Sequence, residues 1–211
     1  MELAPGVQHV VGGTHNSLLV EMRDYLIVFD APISDGQSNW LLNAARSKYP
    51  GKPVKYLVLT HHHMDHIGGL RAYAAQGATI VVGKGAAEHY RRVLAAPATR
   101  NPDLPPRDLS KTEIIEVVDK RVFSDGSQQV EAYLIENPHA AGMLFGYLPG
   151  PRLGFVTDLW SPGAAPLPDK LNPNTAALVG GVKKAGISPL KFAGGHGSTS
   201  DYAPLAELEG K

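Results

Sequence analysis

The feature that most constrains the fold of this chain is residues 60–66, which read Thr-His-His-His-Met-Asp-His. They follow directly on residues 54–59, an apolar stretch whose β-branched and aliphatic residues predict a buried strand. Sheets in α/β proteins tend to place their functional sites just past the carboxyl ends of strands. We therefore predict that this histidine-rich segment leaves the end of a strand as a loop.

Within that segment, the pattern His-x-His-x-Asp-His brings four potential metal ligands into six positions. Imidazole nitrogens and carboxylate oxygens suit zinc and its neighbours, and a loop lets such side chains converge on one ion. The alternatives are a solvated histidine cluster or the remnant of a purification tag. A tag is uniform and terminal, whereas this segment is internal, is interrupted by Met64 and Asp65, and precedes Gly68 and Gly69. The pattern therefore predicts a metal site formed by His61, His63, Asp65 and His66.

Composition argues against several classes of partner. With 211 residues, of which 43% are hydrophobic and 19% charged, the chain has the ordinary balance of one globular domain. Its 20 basic and 20 acidic residues cancel and form no dense basic patch, so neither nucleic acid nor a membrane surface is the expected partner. No apolar run approaches the length needed to cross a bilayer. Cysteine is absent, so a metal would be held by nitrogen and oxygen alone.

Residues 1–7 show no charged and then apolar signal sequence. Met1 is therefore either the true start of the protein, which would favour the cytoplasm, or a trimming point in a longer precursor. The second alternative would favour the periplasm or secretion. The sequence leaves the oligomeric state open.

Apolar periodicity predicts strands alternating with helices in the first half of the chain and mainly strands in the second half. Four prolines in residues 97–109 exclude a regular element there, and we interpret that segment as the linker between the halves. Two β-rich halves with helices outside predict one α/β domain over residues 1–211, built as a four-layer αβ/βα sandwich with two mixed sheets. The predicted strands are 16–21, 25–30, 54–59, 79–82, 114–118, 128–135, 143–148, 153–156 and 191–193, and the predicted helices are 38–48, 70–76, 86–94 and 174–185.

Three further potential ligands, His139, Asp158 and His196, lie just past the ends of predicted strands, as residues 60–66 do. All three could therefore converge on the same rim of the fold. Each also has an ordinary interpretation, because loop histidines are usually solvated and an aspartate after a strand often caps a helix.

The remaining histidines lack this setting. We assign His9 and His15 to strand ends and His89 to a helix face. His62 lies within the motif, but its side chain is expected to point away from its neighbours and to support the site without ligating.

The order of these residues resembles the ligand series of the metallo-β-lactamase superfamily. The likeness runs from residue 7 to residue 197 and includes Gly68-Gly69-Leu70 after the motif and the paired strands of residues 16–32. The resemblance implies an αβ/βα sandwich with two metals, expected to be Zn²⁺ with Fe or Mn as alternatives, in the cleft between its halves. It also implies a first metal on His61, His63 and His139, a second on Asp65, His66 and His196, and Asp158 as a bridge between the two.

Such a centre predicts hydrolysis. Two adjacent cations lower the pKa of a shared water, so that a bridging hydroxide becomes the nucleophile. The metals would polarise the scissile bond and stabilise the oxyanion that develops. Asp65 is the candidate catalytic residue, because it could orient the hydroxide or accept its proton while it ligates the second metal.

The expected substrate is a small ester, lactone, thioester or amide. By the resemblance, true β-lactamases usually lack a bridging aspartate at the position of Asp158. The presence of Asp158 therefore favours the other hydrolases of the superfamily. β-Lactamase activity, an oxidoreductase like the mononuclear-iron persulfide dioxygenases, and a non-catalytic metal-stabilised domain of a longer protein remain alternatives. Trp160 and Met64 are candidates for an apolar wall that binds substrate, and the alternative for Trp160 is packing beneath the loop.

Overall fold

The strands of the first half of the chain form one mixed sheet. The computed structural model describes residues 1–97, 109–164 and 166–210. In that part of the chain, seven strands lie side by side in chain order: β1 (Glu2–Ala4), β2 (Val7–Val11), β3 (Asn16–Glu21), β4 (Leu26–Phe29), β5 (Val54–Val58), β6 (Thr79–Gly83) and β7 (Ile114–Val117). Strands β1 to β4 are antiparallel neighbours, whereas β4 to β7 pair in parallel.

Parallel strands need crossover connections, and helices supply most of them here. They are α1 (Asp35–Lys48) after β4, α2 (Met64–Ile67) and α3 (Leu70–Ala75) after β5, and α4 (Ala87–Ala95) after β6. Helix α1 begins before the predicted residue 38, because the Ser34 side chain caps it by accepting from the Gln37 backbone N–H at 3.3 Å. Arg46 and Lys48 in its last turn suit the negative end of the helix dipole.

The second half of the chain forms the other sheet. Its elements are β8 (Lys120–Ser124), β9 (Gln129–Leu134), β10 (Leu144–Leu148), β11 (Leu153–Val156), α5 (Pro173–Lys184), β12 (Lys191–Gly194), β13 (Thr199–Asp201) and α6 (Ala203–Ala206). The strands lie in the order β13-β12-β11-β10-β9-β8. Neighbours are antiparallel except β11 and β12, which pair in parallel and are connected through α5.

Three buried apolar clusters separate four layers. Strand side chains alternate between faces, so in β3 Leu18 joins the cluster between the two sheets while Leu19 joins the cluster beneath α1, α3 and α4. The Phe29 and Phe155 rings meet between the sheets, with centroids 5.6 Å apart. The third cluster packs α5 against the outer face of the second sheet, for example through Leu178. This arrangement confirms the predicted αβ/βα sandwich.

Every predicted strand and helix is present, with ends that differ by a few residues. The sequence patterns missed β1, β2, β8, β13, α2 and α6. β1 and β13 have three residues each, which is too short for a periodic pattern to register. β8 was missed because most of its side chains are exposed.

Residues 60–66 do not form a loop throughout. The first part is irregular, but Met64–Ile67 make one turn of helix, α2, in which the His66 N–H donates to the His63 carbonyl at 3.0 Å. Asp65 and His66 therefore project from a helix, which corrects the expectation that all four ligands lie on a loop.

The predicted linker, residues 97–109, lies outside the described residues except for its two ends. Leu109 at its far end is buried in the cluster between the first sheet and its helices. A single domain over residues 1–211 stays a prediction. Among the described residues, no helix is both long and apolar enough to span a membrane.

Candidate metal centre

The structure brings all seven predicted ligands to one rim of the sandwich. This rim lies past the carboxyl ends of β5, β9, β11 and β12, so each ligand-bearing segment follows a strand from one of the two sheets. Their ligand atoms form overlapping groups, in each of which all atoms lie within 4.8 Å of one another. We call the group His61, His63 and His139 the first set and the group Asp65, His66 and His196 the second set.

The first set consists of imidazoles alone. The Nε2 atoms of His61 and His139 are 3.3 Å apart. The ring centroid of His63 lies 4.5 Å from that of His61 and 4.8 Å from that of His139. Three imidazoles this close match the ligand type and number of a three-histidine zinc site.

Asp158 lies between the two sets. Its Oδ2 is 2.9 Å from His66 Nε2 and 3.7 Å from His61 Nε2, and its Oδ1 is 3.4 Å from His196 Nε2 and 3.7 Å from His139 Nε2. The backbone of Asp158 adopts the left-handed conformation, with φ of 50°, which is uncommon for a residue other than glycine. The carboxylate thus faces imidazoles of both sets, as a bridging ligand would.

The Asp158 carboxylate also has an orphaned oxygen. Oδ2 is buried and accepts no hydrogen bond, although it lies 2.9 Å from His66 Nε2. Burial alone would raise the pKa of Asp158, but its contacts with His196 and His66 outweigh this effect and hold the pKa well below its usual range. A buried, ionised carboxylate that faces imidazoles of both sets is what a bound cation would complete, so the donor set fits a metal.

The second set combines a carboxylate with two imidazoles. His66 Nε2 lies 3.2 Å from His196 Nε2 and 3.7 Å from Asp65 Oδ2. The Asp65 side chain is 46% exposed, so one side of this set opens to solvent while His66 is buried. Hydrogen bonding to His15, which sequence analysis assigned to a strand end, lowers the pKa of Asp65 against the effect of burial.

Asp30 is a supporting residue that sequence analysis missed. Its buried carboxylate accepts from the Thr60 backbone N–H at 2.8 Å, from the Thr60 hydroxyl at 2.9 Å and from His66 Nδ1 at 2.9 Å. His61 Nδ1 lies 3.2 Å from the same Thr60 hydroxyl. With Nδ1 engaged in both histidines, Nε2 is the nitrogen that faces the site. A signal was available, since Asp30 directly follows β4 as the histidine segment follows the neighbouring β5.

The two buried histidines, His61 and His66, have opposite charge preferences. Burial and the neighbouring His66 lower the pKa of His61 to about 3, so His61 is neutral. Burial also lowers the pKa of His66, but Asp158 and Asp30 outweigh it and raise the pKa to about 10. The carboxylates around His66 therefore already stabilise a positive charge at the second set, which is the electrostatic condition for holding a cation there.

Three other predicted residues lie around the rim. The ring of His62 contacts that of His89, at 5.7 Å between centroids, and borders a separate cavity of about 300 Å³ that Lys84 also lines. Trp160 is buried, and its ring packs against Phe192 with centroids 6.0 Å apart. Met64 is 70% exposed. Contact of Trp160 and Met64 with a substrate stays a prediction.

Comparison with known proteins agrees with this architecture. A sequence model of the metallo-beta-lactamase superfamily matches residues 10–209. Among curated proteins, the linear primary-alkylsulfatase of a Pseudomonas species is 38% identical over 56 residues. That match covers 26% of this chain and 8% of the alkylsulfatase, so most of that enzyme has no counterpart in the match.

Solved structures with the same fold include lactamases and a sulfatase. The metallo-beta-lactamase from Pontibacter korlensis has 20% identity and a TM-score of 0.69, with 100% of this chain and 98% of that chain covered. The metallo-beta-lactamase FIM-1 from Pseudomonas aeruginosa, in its mono-zinc form, has 18% identity and a TM-score of 0.68, with 99% of this chain and 91% of that chain covered. The sec-alkylsulfatase Pisa1 from a Pseudomonas species has 17% identity and a TM-score of 0.69, with 99% of this chain but only 40% of that chain covered. Since the family model spans nearly the whole chain and the sandwich agrees with it, the chain belongs to the metallo-β-lactamase superfamily.

Proposed function

We propose that this chain is a hydrolase that depends on two zinc ions held at the rim of the sandwich. The observation that carries the proposal is the position of Asp158, whose two carboxylate oxygens face imidazoles of both sets. The first set would hold one ion, the second set the other, and Asp158 would bridge them. Seven nitrogen and oxygen donors without cysteine suit zinc, while iron and manganese remain alternative metals.

When bound, a pair of divalent cations supplies Lewis acidity, which makes a water acidic enough to attack near neutral pH and stabilises negative charge on the scissile group. Asp65 would position that water and take its proton, and the half-exposed position of its carboxylate at the open side of the second set supports this role. Asp30 and Thr60 hold the rings of His66 and His61 in place, so that these ligands need no rearrangement.

The substrate class we propose is a small ester, lactone, thioester or amide. The half-exposed Asp65 and the exposed Met64 leave the centre open to a small molecule from solvent. An alkyl sulfate ester is a second candidate, because the curated relative and one structural neighbour are named as alkylsulfatases. The β-lactam ring is a third, since other neighbours are metallo-beta-lactamases. The persulfide dioxygenase alternative is weaker, because one iron would leave the second set unused.

Metal reconstitution followed by a substrate screen tests this proposal. Metal-free protein is titrated with zinc, its metal content is measured by elemental analysis, and it is assayed on carboxylic esters, lactones, thioesters, amides, alkyl sulfates and β-lactams. We expect close to two ions per chain and turnover of at least one substrate class, with Asp158→Ala inactive on it. At most one ion at excess zinc would overturn the dinuclear centre. Two ions without turnover of any class would favour the non-catalytic alternative.

A further inference from the structure

His15 contacts the second set although it lies far from it in the sequence. It occupies the connection between β2 and β3, and its Nε2 is 3.0 Å from Asp65 Oδ2, a residue 50 positions away. Its ring centroid is 4.4 Å from that of His196 and 5.4 Å from that of His66. The ligand atoms of His15, Asp65, His66 and His196 all lie within 4.8 Å of one another. His15 is therefore as close to the second set as its members are to each other.

The ring of His15 is oriented and largely shielded. Its side chain is 14% exposed, and Nδ1 lies 2.8 Å from the Thr14 hydroxyl. Nε2 faces Asp65, and a cation that replaces the Nε2 proton there would find the Nε2 lone pair directed at the second set while the Nδ1 proton stays hydrogen-bonded to the Thr14 hydroxyl. This is the same arrangement as in His61, whose Nδ1 contacts the hydroxyl of Thr60.

The backbone around His15 is tied to the segment that carries His196. The Asn16 side chain donates to the carbonyls of Gly194 and Gly197 at 3.1 and 2.9 Å. His196 Nδ1 lies 3.2 Å from the Thr14 carbonyl, and Gln37 donates from its side chain to the His15 carbonyl at 3.1 Å. These contacts fix the β2–β3 connection at the rim, so His15 is held in place by the fold itself.

We propose that His15 is a further ligand of the second metal, through Nε2. The second ion would then be held by three imidazoles and Asp65 together with the shared Asp158, and the β2–β3 connection would be part of the centre. Zinc accepts five ligands as well as four, so this number is chemically reasonable. The inference rests on the proposed dinuclear centre, since it concerns the second of its two positions.

The experiment compares the wild type with His15→Ala and His15→Phe in competition titrations with a chromophoric chelator. His15→Phe keeps an aromatic ring in the space, so it controls for packing. We expect both variants to keep the affinity of the first ion and to lose more than about 100-fold in affinity for the second, beyond the 10–100-fold typical of a residue that only orients a ligand. His89→Ala, a histidine outside both sets, should leave both affinities unchanged.

Cobalt substitution gives a readout that a supporting role would not change. Each histidine bound to Co²⁺ contributes one strongly shifted ring N–H signal to the proton NMR spectrum. The two sets and His15 contain six histidines in total, so we expect six such signals in the wild type and five in His15→Phe. Five signals in a wild type that binds two ions would overturn the assignment of His15 and leave the dinuclear centre standing. A wild type that binds one ion would overturn the proposed function itself.

Discussion

The two sets of candidate ligands at the rim differ in how the chain positions them. His61 and His63 of the first set come from one short segment. His139 comes from a loop that is closed by the side chain of Asn137. In that loop the side-chain Oδ1 of Asn137 accepts from the backbone N–H groups of His139 and Ala140 at 2.8 and 2.9 Å. The first set is therefore supported mainly by contacts between residues close in sequence.

The second set depends on contacts between distant segments. Asp65 and His66 project from α2, His196 follows β12, and their supporting partners come from the end of β4 and from the β2–β3 connection. Each of these contacts joins residues at least 36 positions apart. Both sets need the two sheets to meet, since His61 and His139 are 78 positions apart. The difference is that the segments of the first set are held in shape by local hydrogen bonds, whereas those of the second set are held by contacts with distant segments.

Asp158 faces both sets, so its removal should have the largest effect. Asp158→Ala is expected to lower turnover by more than about 100-fold, beyond the usual loss from removing a supporting partner, and to lower the metal content. His62→Ala is the control, because His62 lies beside the site but in neither set. Assays of turnover and metal content on both variants test this. Equal losses would mean that the roles within the site are misassigned.

Asp30 offers a way to weaken the second set from outside. In the native protein, one Asp30 oxygen accepts from the Thr60 backbone N–H, and the other accepts from the Thr60 hydroxyl and from His66 Nδ1. Asp30→Asn turns one of these oxygens into an NH₂ donor, so the hydrogen bonds to that oxygen are lost. We expect the affinity of the second ion to fall by about 10–100-fold and the free energy of unfolding by roughly 1–3 kcal/mol.

Asp35→Asn is the matched control for this change. Asp35 is also a buried carboxylate, and it accepts from the backbone N–H of Ala72 in α3 at 3.2 Å. It should lose stability without loss of metal affinity in chelator titrations. If both variants bound metal as the wild type does, Asp30 would serve folding alone.

Asn137 tests the local support of the first set. In Asn137→Ala, the loop that carries His139 loses the side-chain hydrogen bonds that close it, so the affinity of the first ion should fall by about 10-fold. Asp125→Ala is the matched control, because the Asp125 carboxylate closes the turn at the opposite end of β9 by accepting from the backbone N–H groups of Ser127 and Gln128 at 2.9 and 3.3 Å. It should cost about 1 kcal/mol of stability without changing metal affinity. A loss confined to the second ion in Asn137→Ala would contradict the division into a local and a distant set.

Met64 lies between the two sets along the chain, flanked by His63 and Asp65. If it contributes to substrate binding, Met64→Ala should raise KM by about 2–10-fold, the loss of part of one buried apolar contact, and leave metal content unchanged. Trp160→Phe should instead lower thermal stability, since Trp160 is buried against Phe192. Steady-state kinetics and thermal melting separate the two effects. An unchanged KM in Met64→Ala would mean that Met64 does not contribute to substrate binding.

Much of the fold could be predicted because its longer strands are buried, and burial requires runs of apolar residues that are visible in the sequence. Strands such as β3 and β11 occupy the predicted residues. The motif of residues 60–66 could be interpreted in the same way, because ligands that are contiguous in sequence and follow a strand are constrained to one edge. By contrast, β1 and β13 are too short to show a period, and their strand conformation comes from pairing with a neighbour.

The amino-acid sequence by itself determined the order of the candidate ligands, the absence of cysteine among them and the strands that carry them to one rim. Only the tertiary structure decided that Asp30 reaches His66 and that His15 reaches Asp65. The physical reason is that hydrogen bonds between side chains leave no periodic trace in a sequence, since their partners are brought together by the pairing of strands and the packing of two sheets. The spacing of the histidine segment can be recognised in the sequence. The residues that hold Asp65 and His66 in place, His15 and Asp30, can be identified only from the folded structure.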